Sequence, residues 1–211
     1  MIDLDTIRRR FRAHRPQLLD ITNRKQASVA LVLRKHRGVL EMLFIERAQR
    51  GGDPWSGQMA FPGGRCEAHD PDIRAAAERE TLEELNLALA DAGVLGRIDD
   101  LQGQSAGKPL GLVIACHAYF VGHPVTLSPN YEVHDYLWAP LPVLLNPANR
   151  VIYHSPSHGH KPYPGIRVSE APQQVVWGLT YGFVEAFFRA VGAPVGVAEI
   201  GAGDWNRDSL E

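Results

Sequence analysis

Apolar positions along the 211-residue chain change their spacing several times, and each change marks an element. Leu4, Ile7 and Phe11 stand at i, i+3 and i+7, which predicts a short helix over residues 3–13 capped by Asp3 or Asp5. Ala27–Leu33 and Val39–Arg47 are apolar runs joined across the turn pair Arg37-Gly38, the pattern of a β-hairpin. A Gly/Asp/Pro/Trp loop from Arg50 to Gly57 leads to Gln58–Phe61, after which Pro62-Gly63-Gly64 breaks the chain. Asp70-Pro71 then supplies an N-cap and a first-turn proline, and Ile73 to Leu85 contains strong helix formers without Gly or Pro. Strands are predicted near Val94–Ile98, Leu110–Val121 and Val133–Pro140, followed by a Pro/Gly/His-rich segment from Pro147 to Gly165. A last helix covers Val175–Val191, apolar on most sides. This order predicts an α/β fold with a mixed sheet between helices.

Composition narrows the class. With 45% hydrophobic and 22% charged residues the chain can bury a core, and its length suits one compact domain with appendages. The boundaries expected are an N-terminal helical extension at 1–26, a main domain at 27–192 and a tail at 193–211. Lys+Arg 22 against Asp+Glu 24 leaves a net charge of −2, so no global positive field exists to hold a nucleic acid. The two cysteines, Cys66 and Cys116, form no CxxC pair and indicate neither a disulfide framework nor a cysteine zinc site. The N-terminus lacks the apolar core of a signal peptide, and no stretch approaches a membrane span. The expectation is a cytoplasmic protein without membrane contact.

Candidate chemistry sits in Arg79-Glu80-Thr81-Leu82-Glu83-Glu84. Glu80, Glu83 and Glu84 are spaced i, i+3, i+4 and share one helix side. Three carboxylates placed together repel unless a hard divalent cation such as Mg²⁺ neutralises them. A solvated acidic surface is the plainer alternative for these residues alone. Against it stands Phe61-Pro62-Gly63-Gly64 just upstream, where glycines bring bare backbone close to the acidic helix. Arg79, four residues before Glu83, is placed to orient a carboxylate.

These residues resemble the Nudix hydrolase signature. It reads here as Gly64, an acidic loop position at or near Asp70, then Arg79, Glu80, Thr81, Leu82, Glu83, Glu84, Leu85, Asn86 and Leu87. The loop is one residue longer than the standard spacing, and Asn86 replaces a glycine, a mild change because Asn tolerates the left-handed conformation that ends a helix. The resemblance implies an α/β/α sandwich and Mg²⁺- or Mn²⁺-dependent cleavage of a nucleoside diphosphate linked to another group. By the same resemblance Glu80, Glu83, Glu84 and the Gly63 carbonyl are metal ligands and Arg79 orients them.

Gly57-Gln58-Met59-Ala60-Phe61-Pro62-Gly63-Gly64 further resembles the element that precedes the signature in coenzyme A pyrophosphatases. Where those enzymes carry an arginine four residues before the first glycine, this chain has Asp53, with Arg47 and Arg50 nearby. The implied small-molecule substrate is coenzyme A or a thioester, cut to 3′,5′-ADP and 4′-phosphopantetheine. Substrate contacts then fall to Arg47, Arg50, Gly57, Phe61 and Gly64. ADP-ribose, NADH or another nucleotide derivative is the alternative substrate, and a nucleotide sensor that does not cut is the alternative class; the intact glutamate set argues against the sensor. The base that takes the proton of the attacking water is Glu83 or Glu84 on the helix, or Glu132 in a loop between strands. Members of that family are often dimers, so the resemblance implies a homodimer. His154, His158 and His160 form an array best read as a solvated or substrate-facing loop, Cys66 as incidental, Trp55 as either a base-stacking or a loop-packing ring, and Trp177 as core.

Overall fold

A computed structural model of the chain describes residues 2–51, 55–105, 108–155, 161–170 and 174–194. The elements run α1 (Leu4–Ala13), β1 (Lys25–His36), β2 (Val39–Arg47), β3 (Met59–Ala60), β4 (Gly63–Arg65), α2 (Ile73–Leu85), β5 (Gly93–Ser105), β6 (Lys108–Val121), β7 (Val133–Pro140), α3 (Leu141–Leu145), β8 (Arg150–His154), β9 (Pro162–Arg167), β10 (Val175–Trp177) and α4 (Gly178–Ala190). A seven-stranded sheet follows the order β3-β2-β1-β6-β5, with β4 paired to β1 and β7 to β2. The β1–β6 pair is parallel, whereas β1–β2 and β5–β6 are antiparallel, so the sheet is mixed as expected.

Side-chain alternation along β1 separates two apolar layers. Leu31 and Leu33 join Phe44, Cys116 and Ala118 beneath α1 and α4. Ala30 and Val32 join Ile45, Tyr119 and Val121 beneath α2. Burial on both faces explains why β1 reads as a continuous apolar run. Helix α1 is capped by Asp3, whose carboxylate accepts from the Thr6 N–H at 2.7 Å, and it buries Ile7 and Phe11 in the same core as α4.

Four local expectations are corrected. Asp72, not Asp70, caps α2, accepting from the Ala75 N–H at 2.8 Å; the Asp70 carboxylate is taken by Arg79. Gly63–Arg65 does not break the chain but pairs with Ala27–Val29 of β1 as β4. The segment expected to be irregular holds β8 and β9, which with β10 form a second, antiparallel sheet in the order β10-β9-β8. Prolines at 162 and 164 hid β9, because proline cannot donate to a ladder. Finally, Val175–Trp177 is strand rather than helix. The chain turns at Gly178, whose φ of +60° favours glycine, and α4 starts there.

Candidate active site

Helix α2 carries the acidic residues across the end of β4. Its C-terminus closes on Asn86 in the left-handed conformation, φ +54°, with the Asn86 N–H donating to the Leu82 carbonyl at 2.9 Å. The following loop is fastened to that end: Ser128 N–H donates to Leu85 O and Asn130 N–H to Glu84 O, each at 2.9 Å. The same loop carries Glu132, whose N–H is bonded to Asn130 Oδ1 at 2.8 Å.

The three glutamates share one side of α2 but are not equivalent. Glu84 is 2% exposed, and its Oε2 accepts from the Gly63 N–H at 2.9 Å. Burial pushes its carboxyl up to about 8; Glu80 and Glu132 push the same way, and the Gly63 N–H and Arg47 oppose them. Glu80 is half-buried and also shifted up, chiefly by burial, with Arg79 opposing and Glu83 and Glu132 adding to the rise. Glu83 is exposed and lies 3.5 Å from Arg79 Nη1.

Arg79 is the hub. It donates to Asp70 at 3.0 and 3.1 Å, to Glu80 at 3.0 Å and to the Arg65 carbonyl at 3.0 Å, and Glu67 stands 3.9 Å away. Its guanidinium pKa is raised, first by the Asp70 hydrogen bond. Asp70 and Glu67 escaped the sequence reading as partners of Arg79, because a nine-residue separation through a loop follows no helical or strand period. The acidic loop position of the signature was the available signal for Asp70.

Gly64 lies against this cluster, and a methyl group there would collide with the Glu80 carboxylate. The backbone is thus bare where the acids gather, a cradle that suits a small ion with oxygen ligands. Among the described residues, however, no three His, Cys, Asp or Glu side chains form a closed cage. Arg79 draws Glu80 and Glu83 to one side, while Gly63 N–H holds Glu84.

The other candidate residues divide. Arg50 lies over the Tyr131 ring and pairs with Glu132, and Arg47 is close enough to Glu84 to stabilise its charge. Gly57 donates its N–H to the Arg47 carbonyl at 3.1 Å and shapes the turn before β3. Phe61 is corrected: it is 4% exposed and stacks on Phe44 in the layer under α4, on the sheet face opposite α2. Asp53, His158 and His160 lie outside the described residues. His154 ends β8, and Trp177 is buried between Tyr153 and Tyr163, with both ring centroids 5.0 Å away.

A model of the NUDIX domain matches residues 23–156. The chain belongs to the Nudix hydrolase family. This Nudix chain is 32% identical over 155 residues to human mitochondrial coenzyme A diphosphatase NUDT8, covering 73% of this chain but only 64% of that relative's length. It is 29% identical over 201 residues to the uncharacterized Nudix hydrolase NudL of Citrobacter koseri, covering 90% of this chain and 96% of that one. A crystal structure of a MutT/nudix family protein from Enterococcus faecalis superposes with a TM-score of 0.53 at 16% identity, over 90% of this chain and 70% of that one; that likeness concerns the Nudix fold alone. No helix among the described residues is long and apolar enough to cross a membrane.

Proposed function

We propose that this Nudix protein is a Mg²⁺- or Mn²⁺-dependent pyrophosphohydrolase that cleaves coenzyme A or its thioesters to 3′,5′-ADP and 4′-phosphopantetheine. The observation that carries the reading is a buried glutamate, Glu84, beside the bare backbone of Gly63 and Gly64, with Glu80 held next to it by Arg79. Coenzyme A is favoured over other nucleotides by the Gly57–Gly64 element and by the name of the human relative.

Glu80, Glu83, Glu84 and the Gly63 carbonyl would hold the divalent ion. Such an ion supplies countercharge to phosphate oxygens and acidifies a bound water. Arg79, fixed by Asp70, orients Glu80 and leaves it less free to rotate away. Burial favours the protonated form of Glu84, and a divalent ion held beside it would favour the carboxylate. Glu83 is the exposed helix carboxylate and can take up a proton from an attacking water. Glu132 reaches the same side from the β6–β7 loop as a second acceptor. Arg47 and Arg50 supply positive charge for the anionic substrate.

Product analysis by mass spectrometry tests this reading. Purified protein with Mg²⁺ or Mn²⁺ is given coenzyme A, acetyl-coenzyme A, ADP-ribose, NADH, diadenosine polyphosphates and oxidised dGTP. Fastest release of 3′,5′-ADP from coenzyme A is the expected result. Cleavage of another compound alone would retire the coenzyme A assignment, and no cleavage at all would favour a nucleotide-binding role.

A further inference from the structure

Arg50, Tyr131 and Glu132 form a small assembly at the rim of the site, built from two loops far apart in sequence. Arg50 Nη1 donates to Glu132 Oε1 at 3.1 Å, and its guanidinium carbon lies 4.9 Å from the Tyr131 ring centroid. Both residues sit on hydrogen-bonded backbone. The Arg50 N–H is bonded to Ser56 Oγ at 2.6 Å, and Ala48 N–H donates to the Glu132 carbonyl at 2.8 Å. The Ser128 and Asn130 bonds to α2 fasten the other loop.

The contacts themselves are weak and open to solvent. The Arg50 and Glu132 side chains are 39% and 31% exposed, and Tyr131 is 81% exposed. A large ring left in water on a hydrogen-bonded loop contributes little to the core, and its ring contact is with Arg50. An exposed guanidinium–carboxylate pair is a weak ion pair, whereas a phosphate can take the same guanidinium in a charge-assisted, two-point contact.

We propose that Arg50 is a switchable counter-ion: in the free protein it occupies Glu132 while resting on Tyr131, and an anionic group of the substrate takes it over and releases Glu132 to the metal site. This rests on the functional reading above, in which the acidic cluster that Glu132 faces would hold a divalent ion. Arg50 is then a positioning residue that couples arrival of a phosphorylated ligand to completion of the acidic cluster. Coupling of this kind is reciprocal: whatever frees Glu132 also frees Arg50.

A double-mutant cycle separates this handover from simple charge removal. Mn²⁺ binding to the ligand-free protein is followed by loss of the free-ion paramagnetic resonance signal in wild type, R50Q, E132Q and R50Q/E132Q. R50Q is expected to tighten Mn²⁺ by about two- to fivefold, the scale of an exposed ion pair, and to have no effect in the E132Q background. R50K, which keeps a charge on Glu132, returns the affinity toward wild type. Calorimetry with 3′,5′-ADP on the metal-free protein gives the mirror result: E132Q tightens binding, and only when Arg50 is present. An equal R50Q effect on Mn²⁺ in both backgrounds, or a weakening, overturns the proposal. Binding of 3′,5′-ADP that E132Q leaves unchanged also overturns it, while the coenzyme A assignment is judged separately by the product analysis above. Absence of Mn²⁺ binding in every variant would remove both.

Discussion

The two faces of the central sheet are built to different rules. Beneath α4 the layer is mainly apolar, with Tyr181, Phe183, Val184, Ala186, Phe187 and Phe188 of the helix buried. Beneath α2 the helix buries only Ala76, Ala77 and Leu85 as apolar groups, alongside Thr81 and Glu84, over a sheet that contributes buried Ser28 and His117. Each polar group there has a partner: Thr81 Oγ1 donates to Ala77 O, Ser28 Oγ meets His117 Nδ1 at 3.1 Å, and Gly63 N–H serves Glu84. One face supplies stability so that the other can keep groups that stability alone would exclude, and that is the usual relation between a core and a reactive site.

The largest expected effect lies on the apolar face. Phe187→Ala removes a fully buried ring that meets Phe188 at 5.2 Å and Phe11 at 6.0 Å, and denaturant unfolding should show a loss of about 3–5 kcal/mol. Its kcat at low temperature should stay near wild type; a collapse of turnover in the folded variant would erase the division between faces. Glu84→Gln is the converse. It should cut turnover more than about 100-fold, since even outer partners of a metal site are typically worth 10–100-fold, while the melting temperature holds or rises. Arg79→Lys comes next, because a lysine cannot span Asp70, Glu80 and the Arg65 carbonyl together. Steady-state rates should fall about 10–100-fold, with circular dichroism unchanged.

Two buried groups on the α2 face give smaller effects of opposite sign with pH. Burial, aided by Arg97 and Arg74, holds His117 down to about 4 against an ordinary 6.5. Between those values the unfolded chain binds the proton and the folded chain does not, so stability falls as pH falls from 6.5 toward 4. Glu84 runs from an ordinary 4.5 to about 8, so the metal-free folded state holds the extra proton and stability falls as pH rises through that range. Each slope is bounded by about 1.4 kcal/mol per pH unit, the value of one proton. Melting curves of H117N should flatten the acid side, and curves of E84Q the neutral side; wild-type slopes in either variant would refute the corresponding burial. Smallest is the helix end. Asn86→Ala should cost about 1 kcal/mol by forcing Ala into the left-handed region, while Asn86→Gly should stay within about 0.5 kcal/mol of wild type.

Local patterns in the chain were enough for much of this. The hairpin of β1 and β2, the span Ile73–Leu85, the tolerance of Asn86 for a left-handed helix end and the shared side of Glu80, Glu83 and Glu84 all follow from turn pairs, periodicity and helix-forming residues. The second sheet was hidden because its strands are short and carry prolines, and a three-residue strand such as Val175–Trp177 looks like the first turn of the apolar helix it precedes. Phe61 was misplaced for a related reason. Its neighbour Gly63 meets the glutamates, but a side chain two positions away on an irregular segment need not face the same way, and Phe61 enters the opposite layer.

The residue types and their spacing by themselves determined that an acidic helix follows a glycine pair within a mixed α/β sheet, because helix period and local chain chemistry act over a few residues. Only the tertiary structure decided which glutamate is buried, which arginine serves which acid, and that Glu132 meets Arg50 across 82 residues of chain. Those outcomes depend on desolvation and on charges brought together by the packing of separate elements. Neither quantity exists until the sheet, the helix and the two loops share one space.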